Sequence, residues 1–165
     1  MKTYFRQFSV SSVGKRPTFH DVTKEVNEII KDSGIESGIC LIFSRHTTCA
    51  VMIDEDSIDK SYSGLTFLQQ DLVDVFENII PTCRKEGQYM HPGPKLTIFS
   101  AKHGEDKPGT LNTDAHLRSS IVGRSEIVPV VNKKIEIGEF GHIFFVDFDH
   151  TRERERKVIV QVLGE

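Results

Sequence analysis

Residues 37–54, SGICLIFSRHTTCAVMID, constrain the fold of this chain more than any other stretch. Either side of its middle, the run is apolar at consecutive positions. That pattern predicts strand segments covered on both faces, not strands with one face in water. The two segments meet near Arg45–His46, where His46, Thr47 and Thr48 interrupt the apolar run. Buried polar groups need hydrogen-bond partners. Taken alone, His46 has two readings: a core histidine paired quietly with its surroundings, or a residue that lines a site.

The remaining periodicity predicts an α+β fold. Thr3–Val13 reads as a strand. Val22, Val26, Ile29 and Ile30 recur at helical spacing, with Asp21 or Thr23 as cap and Gly34 as terminator. A second helix carries Leu65, Leu68, Leu72, Val75, Phe76 and Ile79 and stops before Pro81. The segment 92–110, rich in proline and glycine, is expected to be a long loop or an inserted hairpin. A short third helix spans NTDAHLRSSIVG, with Asn112 or Thr113 as cap and Gly123 at its end. Four strand-like stretches follow: EIVPVV, KKIEIG, HIFFVDFD and KVIVQVLG, with a hairpin turn at Asn132-Lys133. The expectation is one domain, 1–165. It holds a mainly antiparallel β-sheet with two longer helices and one short helix packed on one side.

Composition narrows the function classes. A net charge of −3, from 21 Lys+Arg against 24 Asp+Glu, argues against a general nucleic-acid binder. No apolar run approaches the roughly 20 residues of a membrane span. Arg6 breaks the region where a secretory leader would be apolar. Cys40, Cys49 and Cys83 are odd in number and lack metal-type spacing, which suits a reducing cytoplasm.

Several residues carry candidate chemistry. On the third helix, His116, Ser119, Ser120 and Gly123 share one face. Leu117 and Ile121 share another, the expected core face. His46, His91 and His116 together resemble the three-ligand set of a catalytic zinc site with one open position. No pair has i, i+4 spacing, so only the fold can assemble them. In TRERERK, Arg152, Arg154 and Arg156 would share one strand face, either as a solvated edge or as a grip on phosphate or carboxylate. The carboxylates Asp54–Asp56 read as a solvated turn, or as an acid–base group or a partner orienting a ligand histidine. Cys49 lies three residues from His46 and so on the opposite strand face, which disfavours a Cys/His nucleophile.

The order and combination of these motifs are specific. SGICLIFSRHTTCAVMIDED, Asp71 with IIP, YMH, NTDAHLRSSIVG, VPVVNKKIEIG and HIFFVDFDHTRERERKVIVQVLG run over nearly the whole chain. Together they resemble the YjbQ family, also labelled secondary thiamine-phosphate synthases. The resemblance implies a compact α+β subunit that assembles as a homotrimer. It also implies a site at His46, His91 and His116 holding a divalent metal, zinc for an all-nitrogen set. Further family positions fall on Glu55 as the acidic, catalytic partner of His46, on the seryl pair Ser119 and Ser120, and on Arg152 and Arg154. Thr47 and Thr48 are expected to orient His46 or a small phosphorylated ligand. The implied chemistry joins a pyrimidine pyrophosphate to a thiazole phosphate. Metal-assisted hydrolysis, and ligand binding without turnover, stand beside it as alternatives. The chain departs from the family pattern in a longer Pro92–Thr110 link and an extended Ser57–Thr66 segment. Phe140-Gly141 replaces a Trp-Gln pair, Cys49 an alanine, and Lys133 a turn glycine.

Overall fold

The computed structural model describes residues 1–104 and 108–165. Its strands form two sheets in which every pairing is antiparallel. The larger sheet holds β1 (Lys2–Ser11), β3 (Ser37–Ser44), β5 (Ser125–Val131), β6 (Lys134–Ile135) and β8 (Glu155–Gly164), in the order β1-β8-β3-β5-β6. The smaller holds β2 (Thr18–Asp21), β4 (Cys49–Glu55) and β7 (Gly141–Asp147), in the order β2-β7-β4. The helices are α1 (Thr23–Ser33), α2 (Phe67–Ile79), α3 (Gly93–Lys102) and α4 (Thr113–Val122). The α+β architecture expected from the sequence is the one observed. No helix among the described residues is long and apolar enough to cross a membrane.

The apolar run 37–54 makes two strands that belong to different sheets. β3 lies in the interior of the larger sheet, with β8 and β5 on its flanks. β4 pairs with β7 at the border of the smaller sheet. Residues 45–48 carry the chain from one sheet to the other, so the polar interruption marks a change of layer. Cys40 and Ile42 of β3 pack with Val128, Val130, Val158, Val160 and Val162 of the larger sheet. Opposite them stand Cys49, Val51, Ile143 and Phe145 of the smaller one, with Val22 before α1 and Val26 and Ile30 of α1 closing the cluster. The other face of the smaller sheet presents Ala50, Phe144 and Val146 to Phe76 and Ile80 of the α2 end and to Ala115 of α4. The helices therefore cover two surfaces, not the single side expected, because the smaller sheet is apolar on both faces.

Local signals act where the sequence places them. Gly34 ends α1 in the left-handed region, with φ of 68°. At the start of α2 the Thr66 N–H donates to Gln69 Oε1 (3.2 Å), the returning half of a capping box. Asn132 and Lys133 both adopt positive φ, 51° and 62°, as the tight β5–β6 hairpin requires. The segment 92–110 differs from expectation: it holds the ten-residue helix α3 and a 3₁₀ turn at Pro108–Thr110, not a bare loop or hairpin. Its residues 105–107 lie outside the described residues. Leu96, Ile98 and Phe99 of α3 stay substantially exposed, so its apolar residues do not report on a core.

α4 also reverses its expected orientation. Leu117 and Ile121 face outward, at 41% and 63% exposure, while Arg118 is 1% exposed and Asp114 is fully buried. The reason is electrostatic. The Arg118 guanidinium donates to the Ile80 carbonyl from Nη2 (2.7 Å) and Nε (3.3 Å). Ile80 is the C-cap of α2, where unpaired carbonyls concentrate negative charge. Nη2 also meets Glu77 Oε2 at 3.0 Å, and Nη1 lies 3.7 Å from Asp114 Oδ2. Removing one member of such a buried network leaves the others uncompensated. Arg118→Ala is expected to lower stability by about 3–5 kcal/mol. Urea denaturation checks this: a loss under about 1 kcal/mol, the ordinary range for a surface change, would sink the account.

Candidate functional site

The crossover 45–48, the end of β7 with its following turn, the start of β8, and the α3–α4 region enclose one cavity of ≈ 390 Å³. Its walls include Arg45, His46, Thr47, Thr48, His91, Asn112, His116, Asp149, Arg154 and Arg156. α3 contributes Leu96 and Ser100. The fold thus gathers residues from positions 45 to 156 around one space.

Hydrogen bonds fix the lining groups. His46 Nε2 accepts from the Lys157 N–H of β8 (2.9 Å), so in the neutral ring Nδ1 carries the proton. The Thr113 hydroxyl donates to the His91 carbonyl (2.9 Å), which makes its oxygen the acceptor for His91 Nδ1–H (3.0 Å). The His91 and His116 rings meet edge to face with centroids 5.1 Å apart. Arg156 is buried and forked on Asp147, and it donates to Thr48 Oγ1 (3.0 Å). Asp149 accepts from Asn112 Nδ2 (3.2 Å) and pairs with Arg154 Nε at 3.2 Å.

Burial and charge set the protonation. All three imidazoles titrate below their ordinary value. Desolvation lowers His46, helped by Arg156 and Arg45. Desolvation alone lowers His91. Desolvation and then the neighbouring His91 lower His116. Burial opposes ionisation of Asp149, but hydrogen bonds from Thr151 and Asn112 together with Arg154 hold its carboxyl below the usual range. Near neutral pH the cavity therefore presents neutral imidazoles, three guanidinium groups and one carboxylate.

Comparison with known proteins gives a family and a fold over nearly the whole chain. The family model described as UPF0047 protein YjbQ-like matches residues 6–165. The chain belongs to this YjbQ-like family. It is 28% identical over 160 residues to a UPF0047 protein of Methanothermobacter thermautotrophicus, covering 97% of this chain and 93% of that one. It is 29% identical over 140 residues to the UPF0047 protein YugU of Bacillus subtilis, covering 85% and 86%. Among solved structures, a hypothetical protein from Aeropyrum pernix superposes with a TM-score of 0.74 at 28% identity over the whole of both chains. A YbjQ-like protein from Sulfolobus solfataricus gives 0.71 at 28% identity over 99% of each.

Of the site residues that the YjbQ resemblance implies, His46, His91, His116, Thr47, Thr48 and Arg154 line the cavity. Glu55 does not. It sits exposed at the far end of β4, opposite Gly141, about 20 Å of strand from Cys49. Ser119 is buried, and its hydroxyl donates to the Cys49 carbonyl (2.6 Å), tying α4 to β4. Ser120 is exposed and its hydroxyl returns to the His116 carbonyl (2.8 Å). Arg152 lies before β8 and is not among the lining residues. The alternation of TRERERK is not a solvated edge: β8 runs between β1 and β3, and Arg156 is inside. The three cysteines are free and buried, and burial pushes the Cys49 thiol well up, against any nucleophilic role.

The histidines do not meet as a three-nitrogen metal centre. Among the described residues, only Asp21, Asp56 and His142 bring metal-type ligand atoms within 4.8 Å of one another. His46 gives its Nε2 lone pair to the Lys157 amide, and a metal would have to displace that bond. Arg45, Asn112, Asp149 and Arg156 were missed as site residues by sequence reasoning. Arg156 belongs to the arginine run and Asp149 precedes it by two residues, and the alternation of charge was the only signal for Arg156.

The protonation pattern has a definite sign. The folded pKa values of the three histidines lie below the unfolded value near 6.5, so the stability that they confer is present above that pH. It is lost as pH falls through the folded values. Imidazole NMR titration is expected to place all three midpoints below 6.5. His91→Asn is expected to move the His116 midpoint upward, since His91 depresses it. A His116 midpoint unmoved in that variant would show that the two rings do not interact.

Proposed function

We propose that this cavity binds a small phosphorylated ligand, with Arg45, Arg154 and Arg156 supplying the charge and the neutral His91–His116 pair supplying proton-transfer groups. The observation that carries this reading is the charge of the wall: Arg45, Arg154 and Arg156 face the cavity, Asp149 offsets Arg154 and Asp147 behind the wall offsets Arg156, and no ion pair among the described residues involves Arg45. Guanidinium forks match phosphate oxygens in geometry as well as charge. Imidazoles that are neutral near pH 7 can donate or accept a proton at a bound oxygen.

Within this reading, the thiamine-phosphate synthase chemistry implied by the YjbQ resemblance is the finer proposal. The carbon–oxygen bond to pyrophosphate breaks and the thiazole nitrogen bonds the released carbon. The leaving pyrophosphate takes the electron pair and is stabilised by the arginines. Phosphate-group recognition supports it; the roles of Glu55, Ser119, Ser120 and Arg152 are left out of it, because they stand outside the cavity. Homotrimer formation belongs to the same proposal. It is supported by the outward Leu117 and Ile121 of α4 and by Ile127 of β5, which is 61% exposed.

Calorimetric titration with inorganic pyrophosphate tests the ligand class. Arg154→Ala is expected to weaken binding about tenfold, as loss of one charge-assisted contact predicts. Ser120→Ala is expected to leave it unchanged. Affinity is expected to rise as pH falls through the depressed folded values of the histidines, because protonated imidazoles add positive charge. Equal affinities for wild type and Arg154→Ala would refute the reading. If pyrophosphate binds but no thiamine phosphate forms at substrate-level enzyme, the transferase proposal alone falls. For assembly, Ile121→Glu is expected to shift the sedimentation coefficient to that of a single subunit; an unchanged coefficient would remove α4 from any interface.

A further inference from the structure

A second cavity, of ≈ 360 Å³, lies on the other side of α4. Lys15, Arg16, Arg84, Arg118 and His150 line it, and none of its lining residues is acidic. The first cavity takes His116 from α4, while this one takes Arg118. The consecutive pair Asp149-His150 likewise sends Asp149 to the first cavity and His150 to the second. The two spaces are therefore separate sites sharing one partition.

The charges here are only partly neutralised. Glu77 pairs with both Arg84 (3.3 Å) and Arg118 (3.0 Å). Asp114 lies 3.7 Å from Arg118 and 3.5 Å from His150. Two carboxylates thus stand behind Arg84, Arg118 and His150, and no ion pair among the described residues involves Lys15 or Arg16. Arg16 Nη1 donates only to the carbonyl of its neighbour Pro17 (3.0 Å).

The backbone that carries these two cations is held in place by the fold, while the Lys15 side chain itself is exposed. Gly14 adopts φ of 66° and packs so closely on the backbone of Arg152 and Glu153 that a Cβ there would lie 2.2 Å from Glu153 N. Ser12 N–H donates to the Arg154 carbonyl (2.9 Å), and Arg154 N–H donates back to Ser12 Oγ (3.0 Å). Val13 N–H donates to Thr18 Oγ1 (3.1 Å), and Pro17 is buried. The loop is thus pinned on both sides of Lys15-Arg16. Cations gathered around a concave space, without lining carboxylates, form a receptor for negative charge. Ser63, Gln70 and Thr82 add neutral hydrogen-bonding groups to its wall.

We infer that this second cavity binds a multiply charged oxyanion, a phosphate or pyrophosphate group, independently of the first cavity. The volume admits a group larger than a single phosphate. Lys15 and Arg16 supply the excess charge, while Arg118 and His150, held by Asp114, form the floor.

Amide NMR of the full chain titrated with inorganic pyrophosphate tests this. In wild type, resonances of Arg16, Ser63 and His150 are expected to shift as one set, and those of Arg45 and His46 as another. Lys15→Gln/Arg16→Gln is expected to weaken the first set about a hundredfold, as loss of two charge-assisted contacts at about tenfold each implies, and to leave the second set unchanged. Arg45→Ala is expected to do the reverse. An unchanged thermal midpoint confirms that each variant folds. The inference is overturned if residues around Arg16 and His150 do not respond in wild type, or respond equally in the double variant. It is also overturned if pyrophosphate leaves them unmoved and the double variant changes the sedimentation coefficient, since a second copy of the chain would then occupy the cavity. Failure at the Arg45 set alone would count against the first-cavity reading and leave this one standing.

Discussion

One buried ion pair joins the two sheets, and the site is built around it. Arg156 belongs to β8 of the larger sheet and Asp147 to β7 of the smaller. Nε lies 2.7 Å from Oδ2 and Nη2 3.3 Å from Oδ1, with Asp147 fully buried. Burying two charges costs several kcal/mol per ion and is repaid only when geometry and remaining hydrogen bonds are satisfied. Here they are. Nη2 also donates to Thr48 Oγ1, and Asp147 Oδ1 accepts from the Asp149 amide. The Phe148 amide closes the knot on the Thr48 carbonyl (3.1 Å). Crossover, turn and strand start are thereby locked together, and these same three segments wall the cavity. One residue beyond Arg156, the Lys157 amide fixes the His46 ring. A pair that sets the distance between sheets therefore also sets where His46, Asp149 and Arg154 stand.

The charge economy of the cavity follows from its depth. Desolvation keeps its histidines neutral, and nearby arginines reinforce this at His46. The guanidinium groups cannot neutralise in the same way, so they remain the source of positive charge. Arg118 applies the same rule on the opposite side of α4. It is buried because it satisfies the α2 C-terminus, and His150 beside it is raised above its ordinary pKa by the Asp114 hydrogen bond despite burial. His150 thus sits above the ordinary titration range and the three histidines of the first cavity below it, because a hydrogen-bonded carboxylate outweighs burial at His150 while burial dominates at the others.

Much of the local structure was legible. Helical period, the Gly34 terminator, the Pro81 stop and the Asn132-Lys133 turn act over a few residues, and their outcomes match the pattern. The failures share a cause. α4 reads as a helix with Leu117 and Ile121 inward, because hydrophobicity ranks them above Arg118. The structure inverts it because Arg118 meets the Ile80 carbonyl oxygen and two carboxylates that lie more than thirty residues away or one turn back. The segment 92–110 reads as loop from its prolines and glycines, yet α3 begins at Gly93 with Pro94 in its first turn, where proline is tolerated. At the site, the histidines, threonines and Arg154 were found through the order of motifs. Arg45, Asn112 and Asp149 carry no such signal, and Arg156 was set aside with a charged run that looked solvated.

By itself the sequence determined most of the elements, α3 excepted, together with the mainly antiparallel α+β class, the family and the point where the run 37–54 must break. Those properties rest on short-range periodicity and on residues that cannot remain buried without partners. Only the tertiary structure decided that the break is a passage between two sheets. It also decided that His46, His91 and His116 share a cavity without converging on one point, and that Glu55, Ser119, Ser120 and Arg152 stand away from it. Which side of a helix or strand faces a cavity depends on partners distant in the chain, and their hydrogen bonds outweigh the local preference of any single side chain.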